Sequence, residues 1–380
     1  MNTIADIVRI HAPRYLADRE HVLPTAHRRV ITSILDCRTD ALGKLRFYCN
    51  ECGMAFDLSR SCGNRHCPTC GKAKGSAWLK RRLDQLLPVP HFMITFTVPG
   101  AFRSVFLHHQ RLCYRMLCRA SSSLLARLGG EQTYFGGDTP GFLGVLHTWG
   151  RTLSYHPHIH YIVPAGCMVE QRAERVTRPG AFDSRTHQWH SCPTAFYVPV
   201  RVLSKLMKAR MFAGLRRAGL LSEVPPNAFE KDWNVDCRPV GSGVRALRYL
   251  SAYVFRAAIS DKRLVEVTER TVTFAYTDTK TGTNKRMTLS GDEFLRRFLQ
   301  HVLPSGFMRI RYYGFLHPCS AIPLKLAVAL LEAVAGIPAR TSTASQDRTR
   351  VPVHCPACNG DAALLYFAAP THRPSNSGFT

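Results

Sequence analysis

The sequence contains no run of eighteen or more apolar residues, which excludes a membrane-spanning helix. Its amino terminus, MNTIADIVRIHAPRYLADRE, has no basic start followed by an apolar stretch, so no signal peptide is expected and a cytoplasmic chain is. There is no GKT or GKS phosphate loop, which argues against a helicase segment and a nucleotide cofactor. No internal repeat is visible, so a repeat architecture is not expected. Acidic residues are scarce: 26 Asp and Glu face 51 Lys and Arg, leaving a formal charge of +25. That excess is far beyond what solubility requires and suits a polyanion such as nucleic acid, although an anionic membrane surface would attract it too.

What is present is enough for a real core. The chain has 380 residues, 45% of them hydrophobic, and can hold one large or two modest domains. The spacing predicts short helices in the first 36 residues, a helix over 76–87, a strand over 91–98 and a long helix over 102–128. Strands near 142–149 and 158–163 follow as an antiparallel hairpin. Helices at 201–219 and 244–258 come next, then strands at 264–268 and 271–276, and a loop containing TKTGTNK. A helix near 292–301, a strand near 308–313 and a helix over 322–334 complete the pattern. From Ile337 on, Thr, Ser, Arg and Pro dominate, which reads as a flexible tail interrupted by Cys355 and Cys358. These limits suggest three regions, a helical one with a cysteine cluster at 1–85, a strand-rich one at 86–320, and a helix with a tail at 321–380.

Six of the fourteen cysteines fall between Cys37 and Cys70. Cys49-Asn-Glu-Cys52 and Cys67-Pro-Thr-Cys70 have the spacing of two zinc knuckles sharing one tetrahedral centre, each followed by a glycine. Cys37, Cys62 and His66 are close enough in sequence to serve a second Zn²⁺, or equally to be core residues. Arg65 and Lys72, among other cations around the cluster, would present positive charge to DNA. The CPAC knuckle at Cys355 and Cys358 has no evident partner pair, and residues 166–198 receive no role.

In Ser-Tyr-His-Pro-His-Ile-His-Tyr, strand geometry puts His158 and His160 on one face, where two imidazoles can chelate a divalent ion. Pairing Trp149 with His158 would bring His147 opposite His160 as a third ligand. Such a site keeps positions open for phosphate oxygens. In the helix beginning at Val244, Leu247, Leu250, Val254 and Ala258 form the core stripe. Tyr249 and Tyr253, four apart, share a nearly opposite face, with Arg245 and Arg256 close by to hold phosphate. A neutral phenol is a weak nucleophile, so an ion or neighbouring cations must favour the phenolate.

Taken in order, the cysteine cluster, His-Pro-His-Ile-His and Tyr-Leu-Ser-Ala-Tyr-Val-Phe-Arg-Ala-Ala-Ile-Ser resemble the two-tyrosine HUH transposases of bacterial insertion sequences, the insertion sequence ninety-one family. The resemblance runs from about Cys37 to Phe315. It implies an α+β fold: a ferredoxin-like or RRM-like core, an antiparallel sheet with helices on one face, behind a zinc-ribbon-like domain. It also implies rolling-circle-like transposition of single-stranded DNA through a 5′-phosphotyrosine. Tyr249 and Tyr253 would be the nucleophiles, His158 and His160 the ligands of Mg²⁺ or Mn²⁺, and transposon ends and target DNA the partners. The expected setting is the bacterial nucleoid, and a homo-oligomer stays open. A replication initiator or conjugative relaxase would use the same chemistry, whereas a non-catalytic zinc-ribbon regulator would leave the histidines and tyrosines unused.

Overall fold

Alternating apolar side chains build the central sheet, because successive residues of a strand face opposite sides. Phe92, Ile94 and Phe96 from one strand, Ile159, Tyr161 and Val163 from a second, and Phe142 and Leu146 from a third join one buried core. A computed structural model describes residues 3–131, 139–170, 187–192, 197–254, 258–278, 281–335 and 353–369, apart from the side chains of 72, 73, 170, 252, 253, 334 and 335.

In chain order, α1 (Ile4–Ala17) and α2 (Thr25–Leu35) lead to β1 (Lys44–Cys49) and β2 (Ala55–Ser59). Next come α3 (Pro68–Asp84), β3 (His91–Thr97), α4 (Arg103–His108), α5 (Gln110–Gly130), β4 (Phe142–Trp149), β5 (Tyr155–Pro164), β6 (Gly166–Glu170) and β7 (His187–Ser191). Then follow α6 (Val200–Arg217), β8 (Asn234–Pro239), α7 (Val244–Val254), β9 (Leu264–Val267), β10 (Thr271–Thr277) and β11 (Asn284–Ser290). The last elements are α8 (Gly291–Leu299), β12 (Ile310–Tyr313), α9 (Leu324–Ala335), β13 (Val353–His354) and β14 (Asp361–Ala368). No helix among the described residues is long and apolar enough to cross a membrane.

The chain divides into two compact units, one of Ser76–Val254 with Leu303–Thr341, the other of Met1–Gly75, Phe255–Val302 and Ser342–Thr380. The first contains an antiparallel sheet in the order β12-β4-β5-β3-β8. Helices α4, α5 and α6 cover its apolar face: Phe106, Leu117, Leu124, Leu203 and Met207 pack with the strand residues above. Tyr161 crosses from sheet to helix, its hydroxyl sharing a hydrogen bond of 2.7 Å with Ser121 Oγ of α5. The opposite face carries Thr95, His158, His160 and His147, and α7 lies on that side, with Leu247 close to Leu143 and Ile162. Helices thus flank both faces of this sheet.

In the other unit, β9, β10 and β11 form a meander, and Phe274 of β10 meets Phe294 of α8 at a ring-centroid distance of 6.3 Å. Ser290 caps α8, its hydroxyl accepting from the Glu293 N–H at 3.3 Å, and Arg19, just beyond α1, pairs with Asp292 at 3.1 Å. A second sheet runs β13-β14-β1-β2.

Several sequence expectations change. The helix expected over 102–128 is interrupted at His109, between α4 and α5. Residues 284–290, of which Asn284 and Lys285 close the expected TKTGTNK loop and the rest carried no expected element, form β11, because each pairs with a residue of β10. The expected flexible tail holds β13 and β14, since β14 finds a partner in β1. The helix expected to reach Ala258 is seen as far as Val254, and 255–257 lie outside the described residues.

Gly144 of β4 sits opposite Tyr161, and a Cβ there would approach the tyrosine ring to 2.7 Å. Glycine is required because the ring occupies the space a side chain would take. Gly144→Val is expected to destabilise the fold by about 1–3 kcal/mol through overpacking, measured by urea unfolding. An unchanged midpoint would show that Tyr161 can move aside.

Candidate metal and tyrosine site

The register of β5 between its two neighbours positions three imidazoles. His158 pairs with Thr97 on β3 and His147 on β4; His160 pairs with Thr95 and Val145. Ligand atoms of His147, His158 and His160 all lie within 4.8 Å of one another. Ring centroids are 4.7 Å apart for His147 and His160, 4.8 Å for His158 and His160, and 5.1 Å for His147 and His158. The expected pairing of Trp149 with His158 is corrected: Trp149 faces Tyr155, and His147 faces His158 directly. The register shifts between His147 and Trp149, beside Pro157, which cannot donate to a ladder and is accommodated at such irregularities.

Hydrogen bonds fix how these rings present themselves. His158 Nδ1 lies 2.6 Å from the His156 carbonyl, which can only accept, so the proton sits on Nδ1 and the Nε2 lone pair is available. His160 Nδ1 is 2.8 Å from Thr95 Oγ1, and its Nε2 is buried with no hydrogen-bond partner. Burial holds His158 down to about 4. Burial, then the charge that neighbouring imidazoles would carry, holds His147 and His160 well below the ordinary histidine value. Near neutral pH all three are therefore uncharged, the form that binds metal. Three neutral nitrogens converging on one point, one of them orphaned, fit a divalent ion with coordination positions left for substrate oxygens. Imidazole donors alone do not select which ion.

Tyr249 reaches this cluster from α7. Its ring centroid is 6.0 Å from that of His160, and the residue is 44% exposed. Ala246, Leu247, Leu250 and Val254 bury the other side of the helix. An open depression of about 560 Å³, lined in part by Met93, Gly241, Ser242, Arg245 and Tyr249, lies alongside. Arg245 is exposed there. Tyr253 belongs to α7, but its side chain lies outside the described residues, as does Arg256 altogether.

Two residues without a place in the sequence reading support the site. Thr95, a hydroxyl between the apolar Ile94 and Phe96, orients His160. Arg309 is buried at 8% exposure and donates from Nη1 to the Val254 carbonyl at 2.8 Å, tying the end of α7 to the segment beside β4. Its own carbonyl accepts from the Leu146 N–H at 2.9 Å. The sequence signal for Thr95 was a polar residue in a buried run, whereas Arg309 stands beside the exposed Met308 and carried no such signal.

The cysteines form two sets in place of the single expected centre. Cys37, Cys62, Cys67 and Cys70 group together, with Sγ separations of 3.6 Å from Cys70 to both Cys37 and Cys62. Cys49 and Cys52 do not join Cys67 and Cys70; they meet Cys355 and Cys358. The reason is that β1 carries Cys49 to its far end, where β14 lies alongside. His66 is buried but belongs to neither set. Arg65 is half-buried, with its pKa lowered by that burial, and the Lys72 side chain is outside the described residues.

Comparison with known proteins gives these features a context. Residues 141–322 match a family model described as "Putative transposase", and residues 7–98 match one described as "Transposase zinc-binding domain". The chain is 37% identical over 333 residues to "Putative transposase y4qJ" of Sinorhizobium fredii, covering 82% of this chain and 80% of that protein. It is 28% identical over 352 residues to "Transposase for insertion sequence element IS801" of Pseudomonas savastanoi pv. phaseolicola, covering 89% and 83%. No solved structure matches it. The chain belongs to the transposases of bacterial insertion sequences, in the insertion sequence ninety-one family with its zinc-binding domain at the front. DNA is accordingly its substrate, and the cysteine sets fit structural zinc.

Thr95→Val keeps the shape of the side chain and removes the partner of His160 Nδ1. It is expected to weaken Mn²⁺ binding by about 10-fold or more, followed by paramagnetic resonance of the free ion. Unchanged affinity would mean that Thr95 does not orient the ligand.

Proposed function

We propose that this transposase cuts and rejoins single-stranded DNA through a covalent tyrosine–phosphate linkage, driving rolling-circle-like transposition. The observation that carries the reading is the Tyr249 ring 6.0 Å from His160, beside three converging imidazoles. Supporting it is the order β3, α4–α5, β4, β5, α6, β8, with β6 and β7 inserted between β5 and α6, whose strands lie as β4-β5-β3-β8; this β-α-β-β-α-β order resembles a ferredoxin-like core, with β12 added at one edge.

In this reading His147, His158 and His160 hold Mg²⁺ or Mn²⁺, which supplies Lewis-acid neutralisation of the phosphate oxygens. Tyr249 loses its phenolic proton and its oxygen attacks the phosphorus. A bond forms from the tyrosine oxygen to the 5′-phosphate, the bond from phosphorus to the 3′ oxygen breaks, and the leaving oxygen takes up a proton as a free 3′-hydroxyl. Attack by a 3′-hydroxyl reverses the step, so rejoining needs no nucleotide cofactor. Tyr253, one turn further along α7, provides a second linkage. Arg245 and Arg256 hold phosphates near the nucleophiles, and Arg65 and Lys72 contribute DNA contacts from the zinc-binding module.

The test uses labelled single-stranded oligonucleotides spanning the ends of the encoding element, incubated with Mn²⁺. The wild type is expected to form an adduct that survives detergent and carries the fragment 3′ of the cut, and Tyr249→Phe with Tyr253→Phe to abolish it. No adduct from the wild type would favour a non-catalytic regulator, and an adduct persisting in the double variant would sink the tyrosine assignment.

A separate measurement divides binding from chemistry. His158→Ala is expected to lower adduct formation by at least about 100-fold. Salt-sensitive DNA affinity should stay within a few-fold, because it comes mainly from phosphate contacts elsewhere. Loss of both together would count against a role for His158 in cleavage alone.

A further inference from the structure

The zinc-binding family model ends at residue 98, yet four cysteine sulfurs meet across some three hundred residues of chain. Cys49 Sγ lies 3.5 Å from Cys358 Sγ, and Cys52 Sγ lies 3.6 Å from Cys355 Sγ. All four sulfurs are within 4.8 Å of one another. A disulfide would hold a pair near ~2.05 Å. Tetrahedral thiolates around zinc, at roughly 2.3 Å each, stand about 3.8 Å apart.

The two C-x-x-C segments repeat one local geometry. Cys49 N–H donates to the Met54 carbonyl at 2.9 Å, and Cys355 N–H to the Gly360 carbonyl at 2.8 Å. Gly53 N–H returns to the Cys49 carbonyl at 3.1 Å, and Asn359 N–H to the Cys355 carbonyl at 2.9 Å. Gly53 and Asn359 both adopt positive φ, 74° and 62°, the left-handed turn that aims two sulfurs the same way. The Ala357 N–H points at Cys355 Sγ at 3.4 Å. Two such turns face each other closely enough that a Cβ on Gly360 would come within 2.4 Å of the Glu51 carboxylate.

We propose that Cys49, Cys52, Cys355 and Cys358 bind a second zinc ion, distinct from that of Cys37, Cys62, Cys67 and Cys70, and that this ion clasps β14 against β1. Four thiolates with no open position make a closed structural site for a soft-tolerant ion such as Zn²⁺. The strand it secures has little else to hold it. Leu364, Leu365, Tyr366 and Phe367 are 51%, 54%, 52% and 47% exposed, so β14 buries little apolar surface although it lies between β13 and β1. Metal ligation supplies the folding energy that packing does not. The inference is independent of the cleavage chemistry.

The test is a zinc count on the full chain by titration with a mercurial thiol reagent, which displaces zinc from thiolates and leaves imidazole-bound metal aside. The wild type is expected to release two zinc ions, and Cys355→Ser with Cys358→Ser one. In that variant the amides of 361–368 should exchange at least about 100-fold faster, with those of 91–97 unchanged. One zinc ion from the wild type, two from the variant, or disulfides among these four cysteines on mapping the unreduced protein would overturn the proposal. The wild-type count and the disulfide map need no variant, so they decide the matter even if the double substitution prevents folding.

Discussion

Three uncharged imidazoles packed into the interior face of a β-sheet set the terms for the rest of the catalytic unit. Each would strongly resist protonation where it stands, and each has one nitrogen directed toward the other two rings or held by a neighbour. His160 Nε2 is buried without a hydrogen-bond partner, a costly state that an electrophile held among the three rings would relieve. The surrounding structure is arranged to hold the cluster still. β3 supplies Thr95 to one ring, the irregularity beside Pro157 brings His147 across from His158, and α4 to α6 bury the reverse face so that the strands cannot slip register.

The exposed tyrosine beside the cluster is held differently. Tyr249 stands on a helix whose apolar side is buried and whose last described carbonyl is gripped by Arg309. A guanidinium at a helix carboxyl end is electrostatically favourable, and here it also fixes the helix to the segment that runs into β12. The phenol stays half in solvent beside an open depression.

Much of the site could be read from residues alone, because strand and helix periodicities are local. His158 and His160 share a face for the same reason that Ile159 and Tyr161 share the other, and the stripe of Leu247, Leu250 and Val254 is buried as the helical count requires. What escaped was set by contacts distant in sequence. His147 joins the cluster through a register that the bulge alters. Sequence spacing pairs Cys49 and Cys52 wrongly because the nearest other C-x-x-C pair, Cys67 and Cys70, is not their neighbour in space. Strand β14 was missed since its polar and Pro-rich flanks look unstructured until β1 is placed beside it, and β11 because Asn284–Ser290 has few apolar residues to announce a strand.

The unit that carries the two cysteine sets is assembled from three separated stretches of chain, with most of the other unit inserted between the first and second. A ribosome delivers these stretches in order. Strand β1 can take β2 as a neighbour almost at once, but its other edge stays open until residue 368 has emerged, long after the histidine strands have been made. Such distant pairing is slow to form and leaves an unpaired edge exposed in the nascent protein. This module is therefore completed only after the histidine strands have been made, and a product ending before β14 would carry those strands without a finished front module.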